Sequence, residues 1–153
     1  MMEAASAKRK AASCEMTCRS DPREIAKVEQ FLAKVNKKAK LDDGTMYRLL
    51  VATTEAVNNA ILHGNKKDPK KIVKVVCRLK NEVLAVTVAD SGNGFDPNSL
   101  ANPLDEENLL KESGRGIFLI RSLMDDVTFR VKKSGTSITM KIDLTKLGEK
   151  PMN

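Results

Sequence analysis

Residues 71–79, KIVKVVCRL, and 82–89, EVLAVTVA, are two alternating apolar stretches with only Lys80 and Asn81 between them. Alternation with a period of two marks a β-strand with one buried face. A two-residue connection leaves no room for a crossover, so these strands must run antiparallel as a hairpin. That constraint alone excludes a sheet made wholly of parallel strands. The C-terminal part repeats it: VTFRVKK and TSITMKIDL flank Ser134 and Gly135, with glycine at the turn. SCEMTCRS (13–20) reads as one more strand, with Met16 and Cys18 alternating with polar neighbours.

The remaining periodic segments are helical. SDPRE (20–24) offers Ser20 or Asp21 as N-cap, Pro22 in the first turn and Glu24 just after. Ile25, Val28, Phe31, Leu32 and Val35 then follow at helical spacing. A second helix is expected from about Asp43 to His63, its apolar stripe made of Met46, Leu50, Val57 and Ile61. Gly64 is expected to close it in the left-handed conformation. GRGIFLIRSLMDD (114–126) predicts a short third helix, preceded by an aperiodic stretch, 96–113, rich in Pro, Asn, Asp and Glu. A loop that long inside a domain is usually functional. The order β-αα-ββ-loop-α-ββ predicts an α/β two-layer sandwich, with a mixed, mainly antiparallel sheet and helices on one face.

At 153 residues the chain suits one domain, expected over 13–147, with a basic N-terminal tail (1–12) and a short C-terminal one (148–153). No apolar run approaches the ~18–20 residues of a membrane span. MMEAASAKRKAAS lacks the apolar core of a secretory signal. The net charge of +7 invites a nucleic-acid reading, but the lysines are scattered pairs and aromatic residues are only 3%, leaving little for bases to stack on. A solvated basic surface with no direct nucleic-acid or membrane partner is expected. Cys14, Cys18 and Cys77 are an odd number without secretory context, which points to free thiols in a reducing cytoplasm. One histidine, His63, is too little to complete a Cys/His zinc site.

Four short motifs carry chemistry. Glu55 and Asn59 lie four residues apart, hence on one helix face, among Ala52, Ala56 and Ala60. A carboxylate and an amide oxygen make a pair suited to Mg²⁺ or an activated water, although alone they also read as a solvent-facing pair. Asp90 ends a buried strand with an acceptor for an amino group such as that of adenine, and Gly92 and Gly94 let a flat ring approach the backbone. Ser113–Gly116 (SGRG) opens a helix, where free amides and Arg115 favour phosphate, or where a glycine hinge would serve equally. Thr136 begins the last strand and on its own is part of a hairpin turn.

Taken in order, EAVNNAILHGN, DSGNGFDP, ESGRGIFLIRSLMDDV and the Gly-Thr of the final hairpin resemble the GHKL ATP-binding superfamily, which has the Bergerat fold and includes histidine kinases, gyrase B, Hsp90 and MutL. The resemblance spans about residues 13–145 and is specifically to the anti-sigma-factor serine/threonine kinases. It implies ATP or ADP with Mg²⁺ as ligands. By position it makes Asn59 the Mg²⁺ ligand and Glu55 the general base that activates a protein hydroxyl. Asp90 would read the adenine amine, with Thr136 helping through a water. Gly92 and Gly94 would line the base, Gly114, Arg115 and Gly116 would meet the phosphates, and residues 95–113 would form an ATP lid. It further implies a STAS-domain antagonist as phosphoacceptor, a sigma factor as a second partner, and a homodimer. Two other functions remain open at this level. A histidine-kinase catalytic domain would need a phosphoacceptor histidine on a helical hairpin, whereas His63 lies inside the ATP motif. A non-catalytic nucleotide-gated binding module would have no need of a base at Glu55.

Overall fold

The hairpin required by the two-residue gap is present in the structure, a computed structural model that describes residues 8–92 and 116–146. Strand β2 (Ile72–Lys80) pairs antiparallel with β3 (Val83–Asp90), from Lys80 opposite Val83 to Val73 opposite Asp90. The turn residues Asn81 and Glu82 both have positive φ, 52° and 62°. Two such residues match the turn's twist to that of the strands. Outward from this hairpin, β1 (Ala12–Arg19) pairs with β2, and β5 (Gly135–Asp143) lies between β3 and β4 (Asp126–Lys132). Every pairing among the described residues is antiparallel, so the five-stranded sheet, in the order β1-β2-β3-β5-β4, is antiparallel rather than mixed, within the two-layer α/β architecture expected.

One face of the sheet is dry. Val73, Val75, Cys77 and Leu79 of β2, Leu84, Val86 and Val88 of β3, and Ile138, Met140 and Ile142 of β5 are all buried. Their pairing puts like beside like, for example Cys77 opposite Val86 and Val86 opposite Met140. The other face carries Lys74, Arg78 and Lys141, with Thr87 and Thr139 sharing a 3.0 Å hydrogen bond. Burial pushes the Cys77 thiol up to about 12, with Cys14 opposite it in register adding to the effect. All three cysteines are free.

Helices α1 (Ile25–Ala39) and α2 (Asp43–Asn59) cover the dry face together with α3, described over Gly116–Leu123. Asp21 caps the turn before α1 by accepting from the Arg23 N–H at 2.9 Å, and Asp42 caps α2 through the Thr45 N–H at 2.6 Å. At the end of α1, Lys40 adopts the left-handed conformation and donates to Asn36 O. Of the stripe expected on α2, Val57 and Ile61 are fully buried. Met46 and Leu50 are only half-buried, while Thr45, Arg48, Leu49, Ala52, Thr53, Ala56 and Val57 are buried. The reason is that α2 is covered on two sides, by the sheet and by α3. Small residues there let α3 approach, and the Arg48 Nε–H reaches the Leu123 carbonyl at 2.8 Å.

Gly64 also departs from expectation. Helix α2 does not stop there in a left-handed residue; it widens into one π-helical turn, Ala60–Gly64, closed by Asn65 N–H donating to Ala60 O at 2.8 Å. The positive φ values fall instead on Lys66 and Lys67. No helix among the described residues is long and apolar enough to cross a membrane. The stretch 95–113, the tail 148–153 and the site candidates Gly94, Gly114 and Arg115 lie outside the described residues.

Candidate functional site

Asp90 is the last residue of the central strand β3, and three glycines shape what surrounds its carboxylate. Gly64 lies so close that an added Cβ would overlap the Asp90 carboxylate. At Gly92 a Cβ would overlap the Gly64 carbonyl oxygen, and at Gly135, with φ of 139°, it would meet the Asp90 carbonyl oxygen. The glycines therefore answer a demand for space, and at Gly135 also for a backbone conformation that side chains resist. Two backbone amides fix the acid itself. Gly92 N–H donates to Asp90 Oδ1 at 3.0 Å, and Thr136 N–H donates to the same oxygen at 3.1 Å. Thr136 thus lies beside Asp90, and it is its backbone that makes the contact.

The helix α2 carries the other half. Glu55 and Asn59 share a face, and Gly116 of α3 lies against it. A Cβ on Gly116 would stand 3.0 Å from Glu55 Oε2, 3.4 Å from Asn59 Nδ2 and 3.5 Å from Asn59 Oδ1. The absence of a side chain at 116 lets the α3 backbone lie close to the carboxylate and the amide. The Asn59 Nδ2 is buried and has no hydrogen-bond partner among the described residues. A buried amide donor without a partner costs on the order of 1–3 kcal/mol, so its presence here is informative. The donor set suits a phosphate with its cation: the amide N–H can meet a phosphate oxygen, and the oxygens of Asn59 and Glu55 are the hard donors Mg²⁺ takes. The two halves are joined by the helix itself, since Asn59 and Gly64 are five residues apart along one rod, a rise of about 6–8 Å.

Sequence reading missed Asn65, which is 1% exposed. Its Oδ1 accepts from Ser91 N–H at 2.9 Å, and its Nδ2 donates to Ile72 O at 2.9 Å and to Ser20 Oγ at 2.7 Å. The only available signal was an asparagine directly after the helix-ending glycine, in HGN. His63, on the same turn, is exposed.

Fold and site together define a class: a two-layer α/β sandwich with a polar site running from an acid–amide pair on its long helix to an aspartate clasped by glycines at a strand end. The chain matches the family model of the histidine kinase-like ATPase domain over residues 18–142, and it belongs to that family. It is similar to the serine-protein kinase RsbW of Staphylococcus aureus (strain bovine RF122 / ET3-1), with 38% identity over 97 residues covering 59% of this chain and 60% of that protein. The serine-protein kinase RsbW of Staphylococcus epidermidis is 36% identical over the same extent. The chain therefore spans about 60% of the length of these curated relatives. Among solved structures, the RsbU and RsbW domains of a Mycobacterium tuberculosis protein share the fold, with a TM-score of 0.65 and 18% identity over 87% of this chain and 32% of that one. The histidine kinase domain of a blue-light activated histidine kinase from Erythrobacter litoralis does so with a TM-score of 0.57 and 17% identity, over 82% and 61%.

Proposed function

We propose that this protein is an ATP-dependent serine/threonine protein kinase of the anti-sigma-factor type. The observation that carries the reading is the meeting of Glu55, Asn59 and Gly116: a carboxylate beside an unpartnered buried amide, opposite bare backbone. Family membership and the serine-protein kinases among its relatives support it.

In this reading the adenine lies at Asp90. With Oδ1 engaged by the Gly92 and Thr136 amides, the carboxylate is held in one orientation to accept from the exocyclic amine. Gly92 and Gly94 line the base, and Thr136 helps through a water. Gly114, Arg115 and Gly116 meet the phosphates, the first two by resemblance alone. Asn59 holds Mg²⁺, which when bound supplies neutralisation of phosphate charge. Glu55 takes the proton of a serine or threonine hydroxyl as that oxygen bonds to the γ-phosphorus, and ADP leaves with the electrons of the broken bond. The acceptor is a STAS-domain antagonist. A sigma factor is the second partner, the active form is a homodimer, and the free thiols suit a cytoplasmic location.

The test is single-turnover transfer from γ-labelled ATP to a STAS-domain antagonist, beside a nucleotide-binding measurement on the same protein. Wild type should label a serine or threonine of the antagonist. Glu55→Ala should bind ATP normally and lose about 10²–10⁴-fold in transfer, the usual contribution of a positioned base. Near-normal transfer by the variant would remove Glu55 from the base role. Loss of its ATP binding would assign Glu55 to the metal site instead, and no transfer by wild type would end the kinase reading.

A further inference from the structure

Two backbone segments are clasped at the Asp90 end, 64–65 from the end of the long helix and 90–92 from the end of β3. Gly64 and Gly92 let them touch, the Asp90 carboxylate filling the space a side chain at 64 would need and the Gly64 carbonyl oxygen filling that at 92. Across this clasp Asn65 supplies a side-chain hydrogen bond to the middle of the turn, the Ser91 N–H, at 2.9 Å. We propose that Asn65 is a positioning residue for adenine recognition, holding the Asp90–Gly92 turn in the conformation that presents the aspartate to the base. This rests on the reading of Asp90 as the adenine acceptor.

The amide of Asn65 can sit only one way. Ser91 N–H is a donor and must face the side-chain oxygen, while Ile72 O is an acceptor and must face the nitrogen at 2.9 Å. The second N–H goes to Ser20 Oγ at 2.7 Å, and the Ser20 hydroxyl in turn donates to Lys71 O at 2.8 Å. A short arm with one acceptor and two donors is asparagine and no other residue. Aspartate keeps the acceptor but turns an oxygen toward the Ile72 carbonyl. Alanine keeps nothing. The main chain of Asn65 meanwhile donates to Ala60 O and closes the π-helical turn just beyond Asn59. One residue thereby ties the helix that carries Asn59 to the strand end that carries Asp90.

The three side-chain bonds are not equivalent, and that separates positioning from mere stability. The bond to Ser91 acts on the turn that holds Asp90, because the next amide, Gly92 N–H, is one of the two that grip Asp90 Oδ1. The bond to Ser20 acts on the β1–α1 connection, away from the ligand. Ser91 is exposed, so its N–H can turn to water once Asn65 is gone, and the consequence is a loosened turn rather than a stranded group.

The experiment measures Mg²⁺-ATP and Mg²⁺-GTP dissociation constants and the urea midpoint for wild type, Asn65→Ala, Asn65→Asp and Ser20→Ala. Guanine presents a carbonyl where adenine has its amine, so GTP gains nothing from a well-held Asp90. Asn65→Ala should lose about tenfold in ATP affinity with little change for GTP, the scale of one well-formed hydrogen bond. Asn65→Asp and Ser20→Ala should unfold at lower urea yet keep the wild-type ATP-to-GTP ratio. An unchanged ratio in Asn65→Ala, or an equal fall in Ser20→Ala, would overturn the inference and leave Asn65 a structural residue. Should Asn65→Ala not fold, a collapsed ratio in Asn65→Asp overturns it equally. A wild type that binds ATP and GTP alike would fail the adenine reading itself, and this inference with it.

Discussion

The two ends of the candidate site are built on opposite plans. At the Asp90 end every neighbour is in contact: glycines at 64, 92 and 135 leave no space for a methyl group, two amides hold one carboxylate oxygen, and Asn65 pins the turn. At the Glu55–Asn59 end the neighbours are further off, and among the described residues the amide nitrogen has no partner and none of the ion pairs involves Glu55. On the proposed reading, the difference separates the end that recognises the base from the end that reacts. Recognition of a rigid base benefits from groups fixed in advance. Groups that must meet a cation, a phosphate and an incoming hydroxyl are left unsatisfied by the protein so that the ligand can satisfy them.

Substituting the glycines probes this contrast most strongly. In Gly64→Ala the new methyl group overlaps the Asp90 carboxylate, which must abandon its bonds to Gly92 and Thr136. Overpacking and the lost hydrogen bonds together should cost about 2–4 kcal/mol of stability and take most ATP binding with them. Urea denaturation and calorimetry read both, and a variant with wild-type values would show that the Asp90 end yields as easily as the other. Asp90→Asn is the next largest. It keeps the shape but places an amide where an acceptor meets the two backbone donors or the base, and ATP affinity should fall by about 1–3 kcal/mol in calorimetry. Equal affinity would remove Asp90 from recognition. Gly116→Ala should do least to stability. Its methyl group stands 3.0 Å from a Glu55 oxygen at the end of a flexible side chain, and alanine favours a helix by about 0.5–1 kcal/mol over glycine. A change within about 1 kcal/mol is expected in urea denaturation. A loss as large as that of Gly64→Ala would mean that both ends are equally close-packed, and the comparison would fail.

Much of this was legible in advance because it is written locally. Alternation in 71–79 and 82–89 with a two-residue gap is a hairpin wherever it occurs, and SDPRE starts a helix because its capping aspartate and proline act on their own neighbours. The four-residue spacing of Glu55 and Asn59 likewise guarantees one face. The stripe on α2 holds at Val57 and Ile61 but not at Met46 and Leu50, because periodicity assumes one buried side and α2 has two. Gly64 was assigned a conformational role because its position after a helix suggested one. Its actual role depends on Asp90, 26 residues later, which no local pattern announces.

The sequence by itself determined the elements, their antiparallel pairing in hairpins, and the placement of the acid–amide pair and of Asp90 on a helix and at a strand end, since each follows from interactions within a few residues. Only the tertiary structure decided that β5 enters between β3 and β4, that Gly116 lies against Glu55, that Thr136 grips Asp90 through its backbone, and that Asn65 ties Ser20, Ile72 and Ser91 together. Those are contacts between segments distant in the chain, selected by burial of one continuous apolar face and by the pairing of most buried polar groups, and neither condition exists until the layers have closed.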